Sequence, residues 1–207
     1  IRPMVTLYHW DLPAALDQLG GWLNPDVAGW FADYAAQMYR VLDDRIPYWL
    51  TLNEPWVVSH FGYLAGEHAP GHRNLFEAAQ VSRNLVRAHA SAVQAYRGIG
   101  KHEIGIAVNI EPKYPASPST ADKAATARAD AYMNRQYLDP ILLGSYPQEL
   151  GDAFAEAWQD NTDFALDPEP TKIDFLGVNY YTRSVVCDDA SALPLQASAV
   201  HQADSEH

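Results

Sequence analysis

The chain alternates between short apolar segments and long stretches in which apolar residues recur every three or four positions. Four segments stand out, because each is rich in branched and aromatic side chains and polar at or near its end. They are Met4–His9, Tyr48–Asn53, Ile104–Asn109 and Phe175–Tyr180. Strands that alternate with helices in this way predict repeated β-α-β units around a parallel sheet.

Three crossover helices are predicted between these strands. The first begins near Asn24, and the second has Asn74 and Glu77 at the spacing of a capping box. The third runs from about residue 120 to 137 and is followed by a short helix over residues 148–158. The expected fold class is therefore α/β, with four parallel strands and three crossover helices.

Periodicity is lost after Thr182. We predict one α/β unit over residues 1–187, and a loop with a frayed C-terminal tail over residues 188–207. The sequence contains no internal repeat that would indicate a second unit.

Polar residues gather where the predicted strands end. Right-handed β-α-β connections bring the carboxyl ends of parallel strands to one edge of the sheet, which is where barrel enzymes hold their active sites. The residues delivered to this edge are His9, Asn53, Glu54, Asn109 and Asn179. Any chemistry is expected among them.

Composition narrows the classes of partner. The formal charge of −12 opposes binding to phosphate backbones, and the basic residues are scattered, so no nucleic acid partner is predicted. The six Trp and twelve Tyr residues suit stacking on sugars, although such residues more often fill a large core.

No cofactor or metal is predicted. Cys187 is the single cysteine, and His68 and His72 have no adjacent carboxylate or cysteine cluster to complete a metal site. No long apolar span or signal-peptide layout precedes the first predicted strand. We therefore expect a cytoplasmic protein without a membrane partner, or a chain whose beginning has been lost.

Glu54 is the candidate catalytic residue. It ends a buried strand between Asn53 and Pro55, and burial disfavours the charged form of a carboxyl group, which suits a proton donor. The alternative is that Glu54 only caps the helix that follows.

Two motifs together resemble glycoside hydrolase family 1, the retaining β-glucosidase and β-galactosidase family. They are Thr-Leu-Asn-Glu-Pro at residues 51–55 and Leu-Tyr-His-Trp-Asp-Leu-Pro at residues 7–13. The resemblance continues through residues 66–71, 88–90, 111–116 and 175–182, and so covers essentially the whole chain. It implies that the four strands are the third to sixth of a (β/α)8 TIM barrel, and that the chain is a partial barrel.

The same resemblance assigns roles around the acid/base Glu54. Asn53 would hydrogen-bond the sugar 2-hydroxyl, and His9 would bind a neighbouring hydroxyl. Trp10 would form a wall of the sugar pocket. Without the family context, His9 reads as a core histidine, Asn53 as a turn residue and Trp10 as core.

Three further residues are assigned by resemblance with packing as the alternative. Asn109 would line the aglycone side of the pocket. Tyr181 resembles the tyrosine whose hydroxyl orients the family's nucleophile, and Asn179 resembles the asparagine beside it. Plain strand packing is the other interpretation of Asn179 and Tyr181.

A second carboxylate is missing from the motifs. A retaining glycosidase needs one about 5 Å from the first, and in this family it lies in a Thr-Glu-Asn-Gly motif on the seventh strand. That motif does not occur in these 207 residues. We expect a hydrolase of small β-glucosides or β-galactosides that is complete only if this carboxylate is supplied. The alternative is a sugar-binding or assembly fragment without turnover.

A half barrel also has two open sheet edges. We predict an apolar face without its opposing half, formed by Val5, Leu7, Leu50 and Val178. Pairing of these edges between two copies would give a homodimer.

Overall fold

A computed structural model describes residues 1–159 and 170–200 of the chain. Its main sheet contains four parallel strands, which lie side by side in the order in which they occur along the chain. They are β1 (Met4–Tyr8), β2 (Tyr48–Asn53), β3 (Glu103–Ile110) and β5 (Phe175–Tyr180). The four strands expected from the sequence are confirmed, each to within one residue at either end.

Helices occur in each of the three connections between these strands. The first holds α1 (Ala14–Asp17), a 3-10 turn (Gly21–Leu23) and α2 (Val27–Leu42). The second holds α3 (Pro55–Ser59), a π-helical turn (His60–Leu64) and α4 (Leu75–Arg97). The third holds α5 (Thr120–Asp130), a π-helical turn (Ala131–Arg135), α6 (Gln136–Leu142), α7 (Glu149–Phe154) and α8 (Glu156–Gln159). The predicted crossovers are confirmed, but the third is divided among several short helices.

The two predicted helix starts differ in outcome. Asn74 caps α4, because its side chain accepts the N–H groups of Phe76 and Glu77. The second bond of a capping box, from the Asn74 N–H to the Glu77 side chain, does not form, so that part of the prediction is wrong. Glu77 bonds Nδ1 of His72 at 2.7 Å, and the Asn74 N–H donates to the Tyr63 carbonyl. Asn24 forms an Asx turn by accepting the N–H of Asp26, and α2 begins only after it.

A second, three-stranded sheet lies beyond the carboxyl ends of the first. It consists of β4 (Lys113–Pro115), β6 (Ser184–Asp188) and β7 (Ala197–Ala199). The prediction of loop over residues 188–207 is therefore wrong at Asp188, the last residue of β6, and over the whole of β7. A strand of three residues such as β7 is too short to show a period. Residues 201–207 lie outside the described part, and a division at residue 187 stays a prediction.

The two faces of the main sheet carry different residues. Val5, Trp49 and Ile104 are register partners on one face, and the Trp49 indole bonds Asp43 at the end of α2, so this face is covered by helices. Leu50 lies on the opposite face, beside Gly105. Trp22, Trp49 and six of the twelve tyrosines are buried, so part of the Trp and Tyr content fills the core.

The expectation of one bare apolar face is wrong. Val5 and Leu50 lie on opposite faces, and both Leu7 and Leu50 are buried. Leu7 belongs to the same core cluster as Val27 and Phe31 of α2, and the Tyr34 hydroxyl of that helix donates to the Leu7 carbonyl at 3.2 Å. Val178 alone of the four is exposed, at 52%.

Asp43 anchors the covered face of the sheet. Its Oδ1 accepts the Trp49 indole N–H at 3.0 Å and the Tyr96 hydroxyl at 2.9 Å, and its Oδ2 accepts the Lys101 N–H at 3.0 Å. Both aromatic partners are fully buried. One carboxylate therefore holds together the end of α2, strand β2 and the end of α4.

We predict that Asp43→Ala lowers the free energy of unfolding by about 2–5 kcal/mol, because two buried donors lose their acceptor. Urea unfolding followed by circular dichroism measures this loss. Asp44→Ala is the control, since the neighbouring carboxylate is exposed and bonds only Arg45 among the described residues. Similar losses in the two variants would contradict the anchoring role.

His89 is a buried histidine behind β2. Its Nδ1 lies 2.7 Å from the Thr51 hydroxyl, and its buried Nε2 has no hydrogen-bond partner among the residues that the structure describes. Burial lowers the pKa of His89 from 6.5 to about 3. In the unfolded chain the imidazole takes a proton near its ordinary pKa, so unfolding takes up a proton between these values.

The resulting prediction concerns pH. Between pH 6.5 and about pH 3, His89 makes the free energy of unfolding fall as the pH falls, by about 1.4 kcal/mol per pH unit. The advantage of the wild type over His89→Gln should therefore shrink below pH 6.5 in urea unfolding. The exposed His102→Gln is the control, and parallel stability curves for wild type and His89→Gln would refute the prediction.

Candidate active site

An irregularity in β2 places Asn53 on the face of the sheet that carries Asn179. Leu50 pairs with Gly105 and Asn53 with Ala107, so β2 has one extra residue over this interval. Side chains that follow one another in a regular strand point to opposite faces. Here Asn53 and Glu54 both reach the same amide group.

Glu54 has a left-handed backbone with φ 48° and ψ 66°. Its N–H donates to the Ala107 carbonyl at 2.8 Å, and Pro55 then starts α3. A left-handed conformation at a residue other than glycine costs about 1–3 kcal/mol and is found where surrounding contacts enforce it. In this conformation the Glu54 side chain reaches Asn179, which also bonds the side chain of Asn53.

The carboxyl group of Glu54 is buried, with the residue only 4% exposed. Asn179 donates from Nδ2 to Oε1 at 2.6 Å, and the Tyr181 hydroxyl donates to the same oxygen at 3.1 Å. Since both donors occupy Oε1, a proton carried by Glu54 belongs on Oε2. The neighbouring Glu54 charge, followed by the hydrogen bond to it, raises the pKa of Tyr181.

The helix-cap interpretation of Glu54 is wrong for its side chain. Glu54 occupies the N-cap position of α3, but its side chain makes no capping hydrogen bond. It faces the end of β5 instead, where Asn179 of that strand and Tyr181, the residue after it, hold it.

Asn53 connects Glu54 to the end of β1. Its Oδ1 accepts from Asn179 at 3.1 Å, and its Nδ2 lies 3.3 Å from Nε2 of His9. The Trp10 indole donates to the Asn53 carbonyl at 3.0 Å. The structure therefore brings His9, Trp10, Asn53, Glu54 and Asn179 into one hydrogen-bonded cluster.

Trp10 forms one side of this cluster with an unusual backbone. Its φ is 80°, which is rare for a bulky residue. Its ring lies edge-on to His9 at 5.1 Å and tilted against His68 at 5.5 Å. A half-buried tryptophan between two histidines offers an apolar surface at the edge of the site.

Asn109 and Tyr181 flank the cluster differently. Asn109 is buried and is the register partner of Asn179, yet no hydrogen bond joins it to Asn53 or Glu54 in the described part of the chain. Tyr181 is 75% exposed and is held through its hydroxyl. The resemblance led us to expect this hydroxyl near a second carboxylate, and here its partner is Glu54.

Two groups of residues near the site were missed from the sequence. Tyr8 donates to the Trp10 carbonyl at 3.1 Å, but a tyrosine inside an apolar strand reads as core. Trp56 stacks on His60 at 4.4 Å, and His60 Nδ1 lies 2.8 Å from the Tyr132 hydroxyl. The position of Trp56, two residues after Glu54, was the available signal.

No metal site is found among the residues that the structure describes. His72 pairs with Glu77, and His68 packs against Phe61 at 5.1 Å between ring centres. The described helices include none with the length and apolar character needed to cross a membrane.

Comparison with known proteins identifies relatives of this arrangement. Beta-glucosidase A of Thermotoga maritima is 41% identical over 204 residues, which are 98% of this chain and 46% of that protein. The 6-phospho-beta-glucosidase GmuD of Bacillus subtilis is 39% identical over 185 residues, or 87% of this chain and 40% of that protein. The chain spans about half the length of the curated relatives it matches.

A solved structure agrees with the fold. The beta-glucosidase from Thermotoga maritima in complex with deoxynojirimycin superposes with a TM-score of 0.90 at 40% identity, over 98% of this chain and 46% of that one. The four-stranded α/β unit is therefore a partial barrel, as the sequence predicted. The family model of glycosyl hydrolase family 1 matches residues 1–207. With that match and these identities, the chain belongs to glycosyl hydrolase family 1.

Proposed function

We propose that this chain is the part of a β-glucosidase or β-galactosidase that carries the general acid/base, Glu54. The observation that carries the proposal is the buried Glu54 carboxyl group, whose Oε1 is fixed by Asn179 and Tyr181. A carboxyl group with one oxygen held by donors keeps its other oxygen for proton transfer. This arrangement supports a role for Glu54 as the acid that protonates a glycosidic oxygen.

The chemistry follows from the position of that proton. Glu54 Oε2 gives its proton to the glycosidic oxygen while the bond from that oxygen to the anomeric carbon breaks. A second carboxylate attacks the anomeric carbon and forms a glycosyl ester. Glu54, now ionised, removes a proton from water as the water oxygen replaces the ester, and both carboxyl groups return to their starting states.

Sugar recognition is assigned to the cluster around Glu54. Asn53 would bind the 2-hydroxyl, His9 a neighbouring hydroxyl, and Trp10 the apolar face of the ring. Asn109 would face the leaving group. The hydrogen bonds between His9, Asn53 and Asn179 support these assignments, because they hold polar groups in place before a sugar arrives.

The second carboxylate is proposed to come from outside this cluster. In the described part of the chain, Glu54 is the only carboxylate among the hydrogen-bonded residues of the site, and the Thr-Glu-Asn-Gly motif is absent from the 207 residues. Small β-glycosides and oligosaccharides are the proposed substrates. A cytoplasmic location stays a prediction.

The single carboxylate also supports a second candidate function. A chain that keeps His9, Asn53 and Trp10 without the nucleophile would bind sugars, or complete a larger barrel, without hydrolysing a substrate. Binding of deoxynojirimycin without hydrolysis of a chromogenic β-glucoside would favour this function over the first.

We predict that Glu54→Gln slows hydrolysis of 4-nitrophenyl β-glucoside by about 10²–10⁴-fold, because an amide can neither give nor take the proton. Release of nitrophenol at equal protein concentration measures the effect. Glu103→Gln is the control. Glu103 is exposed and begins β3, so it lies at the amino-terminal end of the strands, away from Glu54. Unchanged turnover in Glu54→Gln would remove Glu54 from the mechanism.

We also propose a homodimer through the open edges of the main sheet. β1 and β5 are the first and last strands, and each has one neighbour. Met4, Val178 and Tyr180 leave large apolar side chains exposed along these edges. Unpaired edge strands with exposed apolar residues favour pairing with another chain.

The dimer should show twice the 23.0 kDa chain mass in light scattering at micromolar concentration. Val178→Lys should shift the population towards the monomer, because a charge would be buried between the edges. Val41→Lys on α2 is the control, with a parent side chain that is similarly exposed at 54%. A wild-type monomer, or equal effects of both variants, would exclude this interface.

A further inference from the structure

Three hydrogen bonds form a continuous chain from the core to the site. The Trp22 indole donates to the Tyr8 hydroxyl at 3.0 Å, and this hydroxyl donates to the Trp10 carbonyl at 3.1 Å. The Trp10 indole then donates to the Asn53 carbonyl at 3.0 Å. The chain starts at a fully buried tryptophan and ends at the residue before Glu54.

The chemistry of the groups fixes the direction of these bonds. An indole N–H can only donate and a backbone carbonyl can only accept, whereas a tyrosine hydroxyl does both. Tyr8 must therefore accept from Trp22 and donate to Trp10. Burial raises the pKa of Tyr8 to about 12, although the bond from Trp22 opposes this change, so the hydroxyl keeps the proton that it donates.

The acceptor of the Tyr8 proton lies on a strained residue. Trp10 has a φ of 80°, a conformation that a bulky side chain adopts only under constraint. The Tyr8 bond holds the carbonyl of Trp10, and the Asn53 bond holds its indole. Both ends of Trp10 are thus fixed, and the first of these bonds depends on the Tyr8 hydroxyl.

We infer that Tyr8 is a positioning residue of the sugar pocket: its hydroxyl holds Trp10 in the left-handed conformation from which the indole reaches Asn53. The Tyr8 hydroxyl bonds neither Glu54 nor His9 among the described residues. It acts through Trp10, whose ring would form a wall of the sugar pocket and whose indole N–H bonds the Asn53 backbone. The effect on sugar binding rests on the proposed function.

The test removes the hydroxyl without changing the shape of the ring. Tyr8→Phe should weaken binding of deoxynojirimycin by about tenfold, the loss expected for one supporting hydrogen bond. Tyr96→Phe is the matched control. Its buried hydroxyl likewise donates once, to Asp43, and accepts once, from the His102 N–H, but on the side of the sheet away from the site. It should lower the unfolding temperature and leave binding unchanged.

Nuclear magnetic resonance of the indole N–H groups tests, without a ligand, whether Tyr8 keeps the Trp10 indole bonded to Asn53. The Trp10 signal is identified by its loss in Trp10→Phe. Its proton should exchange slowly with solvent in the wild type and in Tyr96→Phe, and faster in Tyr8→Phe.

The outcomes separate the two proposals. A wild-type chain that does not bind deoxynojirimycin counts against the proposed function, while the indole exchange still decides the role of Tyr8. An unchanged Trp10 signal in Tyr8→Phe would overturn the inference. If Tyr8→Phe does not fold, a wild-type Trp10 proton that exchanges as fast as that of free tryptophan would overturn it as well.

Discussion

The site depends on the two hydrogen bonds that the side-chain amide of Asn179 donates. Its Nδ2 donates to Asn53 at 3.1 Å and to Glu54 at 2.6 Å, and so joins β5 to the carboxyl end of β2. These two bonds form together because the extra residue in β2 puts Asn53 on the face of Asn179, and the left-handed backbone of Glu54 brings the next side chain to the same amide. A regular β2 would send one of the two away from Asn179, and the buried carboxyl group would lose either its support or its position.

The position of Asn179 also depends on how closely β5 lies to β3. Gly105 faces Phe175 across these strands, and a Cβ atom at Gly105 would overlap the Phe175 carbonyl. Any side chain there would push β5 away from β3 at the start of the pairing. Asn179 lies four residues further along the same strand, where it is the register partner of Asn109. Gly105, near the start of β3, therefore contributes to the 2.6 Å contact between Asn179 on β5 and Glu54.

The fold was largely predictable because its strands carry continuous apolar runs and its long helices carry a clear period. The position of Glu54 at the end of β2 followed from the same pattern. Its contact with Asn179 did not, since the two residues are 125 positions apart and no local pattern joins them. The positive φ angles of Trp10 and Glu54 were also invisible, because neither residue type favours that conformation.

Sequence reasoning also failed where one residue type serves two purposes. Tyr8 has the composition of a core residue and is buried like one, yet its hydroxyl bonds the backbone of the site. The three-residue strands β4 and β7 gave no period, and β7 was expected to be loop. Local patterns predict the elements, whereas the hydrogen bonds between elements arise only in the folded chain.

Tyr181 shows how the site depends on what approaches it. The tyrosine is mostly exposed, and its hydroxyl has one proton to donate, which Glu54 Oε1 now accepts. A second carboxylate within reach would compete for that proton, because a tyrosine hydroxyl cannot serve two acceptors equally well. Asn179 would then remain as the support of Glu54, with the shorter of the two bonds. The carboxyl group thus has one partner held on β5, the half-buried amide of Asn179, and another, the Tyr181 hydroxyl, whose bond can be redirected without disturbing the strand.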